Sequence, residues 1–106
     1  MRLESGSEER MKIKVELKGF PTVSDVIGKK SLELDIDGRT LRDVIENLIG
    51  LYGRKVKEAF YDEKGRFDPI IQVALNGKTF VSPEEFGKPI LQDGDTVAFL
   101  LLLAGG

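Results

Sequence analysis

Between Leu41 and Tyr52 the apolar residues Leu41, Val44, Ile45, Leu48, Ile49 and Tyr52 recur at i, i+3 and i+4. That is three turns of an amphipathic helix with one face to bury. It is the one long helical stripe in the chain. The other apolar segments alternate with a period of two or form short runs, as strands do. A chain of 106 residues builds a single modest core. The helix must therefore cover one face of a sheet made by the rest.

The strands can be read in order. Ile13, Val15 and Leu17 alternate with Lys12, Lys14 and Glu16, giving a half-buried strand over 12–17. Phe20-Pro21 ends it, and the stretch to Lys30 reads as a loop. Leu32, Leu34 and Ile36 make a second strand over 31–36, so an antiparallel hairpin is the economical pairing. After the turn at Asp37-Gly38, Thr40 stands as helix N-cap with Asp43 three positions on. Gly53 closes the helix as its C′ residue. Val56, Ala59 and Phe60 add a short helical turn before a loop over 62–68.

Ile70 to Leu75 is apolar except for Gln72, which suits a central strand, and Asn76-Gly77 signals a hairpin into a short strand over 78–81. Ser82-Pro83-Glu84-Glu85 starts one short helical turn. Asp93-Gly94-Asp95 is a tight turn that launches a last strand over 96–103. The order β-β-α-β-β-β segregates its elements, which makes the domain α+β. A hairpin, a helix and a returning parallel strand form the β-grasp (ubiquitin-like) arrangement: a mixed sheet of four or five strands on one main helix.

Composition removes several functions. The chain has no cysteine and no histidine, so thiol nucleophiles, thiolate metal sites and imidazole bases are excluded. A net charge of -2 gives no general attraction to nucleic acid or anionic membrane. The apolar run 97–104 is too short for a membrane helix, which needs roughly 20 residues. Residues 1–10 are charged, lack the apolar core of a secretory signal and precede a second methionine, Met11. They read as a disordered extension without function, ahead of a domain over 11–106, and a cytoplasmic location is the default expectation.

What remains is the end of the chain. Gly105 and Gly106 follow the apolar run from Val97 to Ala104 and form a thin tail with a carboxylate at its tip. Without Cβ atoms, such a tail threads a narrow channel. If Val97 and Phe99 face the core, alternation sends Ala98, Leu100 and Leu102 the other way. Either the strand is buried on both faces, or Leu100 and Leu102 are exposed beside the tail as a partner anchor. The second is the expectation, because one helix cannot cover two faces. Asp35, Asp37, Asp93 and Asp95 could suggest a cation site, but turn aspartates are commoner than ligands and the loop lacks further oxygen ligands. Lys29-Lys30 and Lys55 with Lys57 read as solvated.

The segments Val73-Ala74-Leu75-Asn76-Gly77, Leu91-Gln92-Asp93-Gly94-Asp95-Thr96-Val97-Ala98-Phe99 and Ala104-Gly105-Gly106 resemble the ubiquitin-like sulfur carriers, above all the small subunit of molybdopterin synthase. The resemblance covers the chain from about Met11 to its end. It departs where the family commonly has an aromatic and two prolines before the last four residues, and this chain has Leu100, Leu101 and Leu102. The resemblance implies that a ubiquitin-activating-type partner uses ATP to adenylate Gly106, which becomes a thiocarboxylate. Sulfur then passes to a pterin precursor on the synthase large subunit. Gly105 and Ala104 would thread the partner's channel, and Leu100, Leu102 and Leu103 would form the interface. The chain would supply the substrate group and no catalytic residue, with no bound cofactor and no metal. Three alternatives stay open: a protein modifier joined to lysine through Gly106, a carrier for tRNA thiolation or thiamine, and a non-covalent β-grasp binding module.

Overall fold

The computed structural model describes residues 10–101. Five strands form one sheet: β1 (Arg10–Lys18), β2 (Ser31–Asp37), β3 (Ile71–Leu75), β4 (Thr79–Phe80) and β5 (Thr96–Leu101). Their spatial order is β2-β1-β5-β3-β4. β1 is antiparallel to β2 and parallel to β5, while β3 runs antiparallel to both β5 and β4. The expected β-grasp is therefore the fold, with five strands. The centre of the sheet belongs to β5. β3, expected as a central strand, is an interior one, paired with β5 on one side and with the short edge strand β4 on the other.

Three helices cover one face: α1 (Pro21–Ile27), α2 (Leu41–Tyr52) and α3 (Arg54–Phe60). α2 is the helix that the periodicity demanded, and Leu41, Val44, Ile45 and Leu48 are buried along it. Its start is a capping box. Thr40 Oγ1 accepts from Asp43 N at 3.0 Å, and Asp43 Oδ2 accepts from Thr40 N at 3.1 Å. Two free amide donors at the helix start are satisfied reciprocally. α3 runs seven residues, longer than the single turn expected.

α1 is a correction, since its residues read as loop. Pro21 ends β1, but it also fills the first helical turn, where its missing N–H costs nothing. Val23 is buried, Val26 and Ile27 pack on the core, and Gly28 closes the helix. The apolar spacing 23, 26, 27 was a helical signal too short to stand alone.

The core lies between helices and sheet. Ile13, Val15 and Leu17 of β1, Leu34 and Ile36 of β2, and Val97 and Phe99 of β5 meet α2 and the aromatic ring of Phe60. Phe60 touches Phe99 at a centroid distance of 4.9 Å and Phe20 at 5.7 Å, edge on. No polar side chain is buried among the described residues. Among these residues, no helix is long and apolar enough to cross a membrane. β1 begins at Arg10, one residue inside the segment read as an extension; the rest of that segment lies outside the described residues.

Candidate functional site

β5 delivers the chain towards Gly106, and its first residues are fastened to the strands on both sides. Gly94 takes φ +89°, which an L side chain rarely adopts, and Gly94 N donates to Lys12 O at 2.8 Å. Lys12 N donates to Asp93 Oδ1 at 2.7 Å, and Lys14 N to Asp95 O at 2.9 Å. These bonds attach the turn to β1. On the β3 side, Asn76 Nδ2 donates to Asp95 Oδ1 at 3.0 Å, and Asn76 Oδ1 accepts from Thr96 N at 2.8 Å. Gln92 N donates to Asp95 Oδ2 at 2.9 Å.

Asp93 and Asp95 are thus engaged as turn residues, accepting from backbone and amide donors. Asp35 lies 3.9 Å from Lys12 Nζ on an exposed surface. Among the described residues, no group of three or more Asp, Glu, His or Cys is placed to hold a metal ion.

Along β5 the two faces separate as the alternation demands. Val97 and Phe99 are fully buried under the helices. Ala98 and Leu100 point to the face that no helix covers. Leu100 is half-buried there, less open than expected, and Ala98 is buried at 6% exposure. The register explains this. Ala98 stands between Glu16 of β1 and Ala74 of β3, and Leu100 stands between Lys18 and Gln72. A small side chain is shaded by longer neighbours even where no second layer lies above it. Ala74 in turn faces Phe80 of β4, which is 65% exposed. Ile70, just before β3, is 46% exposed.

The uncovered face therefore carries an apolar strip of Ala74, Phe80, Ala98 and Leu100. Sequence reading named only Leu100 and Ala98 of these. Phe80 was missed because β4 has two residues and no alternation of its own. The signal was indirect: the turn Asn76–Lys78 sets Phe80 opposite Ala74. Leu102, Leu103, Ala104, Gly105 and Gly106 lie outside the described residues. The chain enters that segment beside the end of β1, where Lys18 pairs with Leu100, and beside the start of β3, where Ile71 pairs with Leu101.

A separate cleft lies between α2, α3 and the turn after Tyr61, lined in part by Glu46, Arg54, Lys57 and Glu58. It contains no residue of β5. Burial raises the Tyr61 hydroxyl pKa, and the Glu46 carboxylate adds to the rise. The turn itself is held by Asp62, whose Oδ1 accepts from Lys64 N at 2.9 Å and Arg66 N at 3.0 Å. The Arg66 backbone bond is the main cause of a lowered Asp62 pKa. Lys29, Lys30, Lys55 and Lys57 are exposed, as solvated charges.

Comparison with known proteins agrees with this geometry. The ThiS family model matches residues 12–106. Small archaeal modifier protein 3 of Haloferax volcanii is 31% identical over 99 residues, covering 89% of this chain and 100% of the relative. The crystal structure of small archaeal modifier protein 1 from H. volcanii superposes with a TM-score of 0.71 at 21% identity, over 88% of this chain and 99% of that one. A Pyrococcus furiosus chain assigned as molybdopterin converting factor subunit 1 has a TM-score of 0.60 at 28% identity, over 88% of this chain and 99% of its own. The family match starts in β1, takes in every strand of the sheet and runs to the terminal diglycine, and on that ground the chain belongs to the ThiS family of ubiquitin-like sulfur carriers.

Proposed function

We propose that this chain carries sulfur on Gly106 as a thiocarboxylate and donates it in molybdopterin biosynthesis, for a molybdenum or tungsten cofactor, as the small subunit of the synthase. The observation that supports this reading best is the course of β5. It is clamped at its start, central in the sheet and followed by five residues ending in Gly105-Gly106. Those five residues reach at most about 17 Å beyond Leu101 when extended. A partner that grips Leu100, Leu102 and Leu103 therefore meets the carboxylate within that distance, with Ala104 and Gly105 in its channel.

The chemistry needs activation, because a carboxylate repels nucleophiles and has no good leaving group. Its oxygen attacks the α-phosphorus of ATP on an adenylating enzyme of the ubiquitin-activating type, and pyrophosphate leaves. A persulfide sulfur then attacks the acyl carbon and displaces AMP. A thiol reduces the resulting S–S bond, leaving the thiocarboxylate on Gly106 and an oxidised disulfide. ATP is thus a substrate of the partner, and this chain contributes the acyl group, its presentation and no catalytic side chain. Donation to a pterin precursor takes place on the synthase large subunit, in the cytoplasm. The 28% identity to the P. furiosus converting-factor chain supports this acceptor.

A second reading has its own support in the 31% identity to a small archaeal modifier protein. There the same adenylate passes to a lysine amine and forms an isopeptide bond. Intact-mass measurement after incubation with ATP, adenylating enzyme and a persulfide donor separates the two. A sulfur-for-oxygen mass gain at the C-terminus, lost on deletion of Gly106, supports the carrier. Branched Gly-Gly remnants on lysines after digestion of cell protein, with no sulfur gain, support the modifier. An inert tail under all conditions removes both and leaves a binding module.

A further inference from the structure

The outer edge of β3 is only partly covered. β4 pairs with Ala74 and Leu75, and Val81 N donates to Val73 O at 2.9 Å. Beside Ile71 and Gln72 no strand of the sheet continues. There a slot of about 310 Å³ opens between the edge of β3, the segment Phe67 to Pro69 and the turn at Pro83. Phe67 and Phe86 meet edge on in its wall, with ring centroids 4.9 Å apart, and the exposed Phe80 ring forms a lip. In a chain that is 32% charged, none of the residues lining this slot carries a charge. Its volume lies at the lower end of the roughly 300–1,000 Å³ of ligand sites. An extended apolar segment fits such a slot, whereas a helix about 10 Å across does not.

The chain itself supplies such a segment. β5 ends beside the start of β3, where Leu101 pairs with Ile71. Neighbouring strands lie about 4.8 Å apart, so the outer edge of β3 is roughly 10 Å from Leu101. About three extended residues span that distance. The residues that follow Leu101 are Leu102, Leu103 and Ala104, all apolar. The other segment outside the described residues, 1–9, is a poorer match. It carries Arg2, Glu4, Glu8 and Glu9, and it joins β1 at the end of the sheet where β5 begins, away from Ile71.

We propose that Leu102 and Leu103 dock in cis in this slot, against Phe67, Phe80 and Phe86, whenever no partner holds the tail. Ile70, 46% exposed at the start of β3, is the residue the tail crosses on the way. Removal of both leucine side chains and the Phe80 ring from water favours the docked form. The inference rests on the proposed function in one respect. There a partner grips the same two leucines, so docking in cis and partner binding exclude each other. A tenfold preference for the docked form weakens the partner's apparent affinity about tenfold.

The test uses the full chain. Because the protein has no cysteine, Ala104→Cys takes a nitroxide label at a single position. Docking should broaden the amide resonances of Gln72, Phe80 and Ser82 while sparing Lys18 and Gly19, which lie on the other side of β5. Phe80→Ala and the double variant Leu102→Ser/Leu103→Ser should each abolish that asymmetry. Phe80 is exposed, so its variant should keep the thermal transition. In parallel, carboxypeptidase release of Gly106 from the unlabelled chain should speed up about tenfold in Phe80→Ala, since cleavage tracks the undocked population. Equal broadening on both sides of β5, or Gly106 release unchanged by Phe80→Ala, overturns the proposal. Broadening of an isotope-labelled chain by a separate nitroxide-labelled chain also overturns it, and assigns the slot to a second copy's tail. Neither readout involves ATP or an adenylating enzyme. A tail that docks but is never adenylated therefore removes the carrier reading and leaves the slot assignment standing. A tail that is adenylated but does not dock removes this inference alone.

Discussion

Asn76 and Asp95, 19 residues apart, bond directly: Asn76 Nδ2 donates to Asp95 Oδ1 at 3.0 Å. Asn76 is also the one non-glycine with positive φ among the described residues, at +55°, and its Oδ1 accepts from Thr96 N. The amide thus holds its own hairpin turn and the start of β5 together. Asp95→Ala should cost about 1–2 kcal/mol, and Asn76→Ala somewhat more because alanine is strained at that φ. In a double-mutant cycle the two should couple by roughly 0.5 kcal/mol or more. Urea unfolding of the four proteins checks this, and strict additivity would mean the pair is incidental.

Gly38 and Asp43 bear on the main helix. A Cβ added at Gly38 would overlap the Asp43 carboxylate, and φ at Gly38 is +118°. Gly38→Ala must then displace the carboxylate that accepts from Thr40 N and Thr40 Oγ1. The expected loss is about 2 kcal/mol, combining backbone strain with a lost cap. Asp43→Ala should lose about 1 kcal/mol. In the Asp43→Ala background, Gly38→Ala should cost less than in wild type, because the overlapping group is gone. An equal cost in both, by thermal or urea unfolding, assigns the whole effect to the backbone.

These two clusters also mark how far the sequence could be read. Thr40 with Asp43, Asn76-Gly77 and Asp93-Gly94-Asp95 are local cap and turn signals, and each sits where the pattern put it, but the bond from Lys12 N to Asp93 joins residues 81 positions apart. The link from Asn76 to Asp95 is not local; no spacing rule pairs a hairpin turn with a turn 19 residues later. α1 escaped because seven residues are too few for periodicity to outweigh a Pro that also ends a strand. The position of β5 at the centre of the sheet follows from β1 pairing with it in parallel, a choice made by packing. Of the candidate site, Ala98 and Leu100 were legible from alternation alone. Phe80 joined them only through the register of β3 with β4.

Acid should loosen the turn after Tyr61 before it unfolds the domain. Asp62 has a pKa below the ordinary carboxylate value, chiefly because Arg66 N donates to it, with Lys64 N and the Arg66 guanidinium assisting. A folded-state pKa that is depressed contributes stability above the unfolded value, and this is lost as pH falls through the folded one. The carboxyl resonance of Asp62 should therefore titrate below that of an unperturbed aspartate, with Phe67 and Tyr61 signals moving in the same range. Asp62→Asn keeps an acceptor for the backbone donors and should flatten that acid response. An Asp62 midpoint at the ordinary value would remove the turn bonds as its cause.

Phe99 and Leu100 are neighbours in β5 with opposite fates. Phe99 is fully buried against Phe60, whereas Leu100 is half-buried on the face without helices. Truncating Phe99 removes a ring from the centre of the core and leaves a cavity, at a cost of about 3–5 kcal/mol. Leu100→Ala gives up only the part of its area already shaded by Lys18 and Gln72, and should cost about 1 kcal/mol or less. Leu100→Asp should likewise leave a cooperative thermal transition, since water reaches the new carboxylate and Lys18 lies beside it. Denaturant midpoints for the three variants, at matched m-values, test the asymmetry. A Leu100→Ala loss as large as that of Phe99→Ala would make Leu100 a core residue and withdraw it from any partner surface.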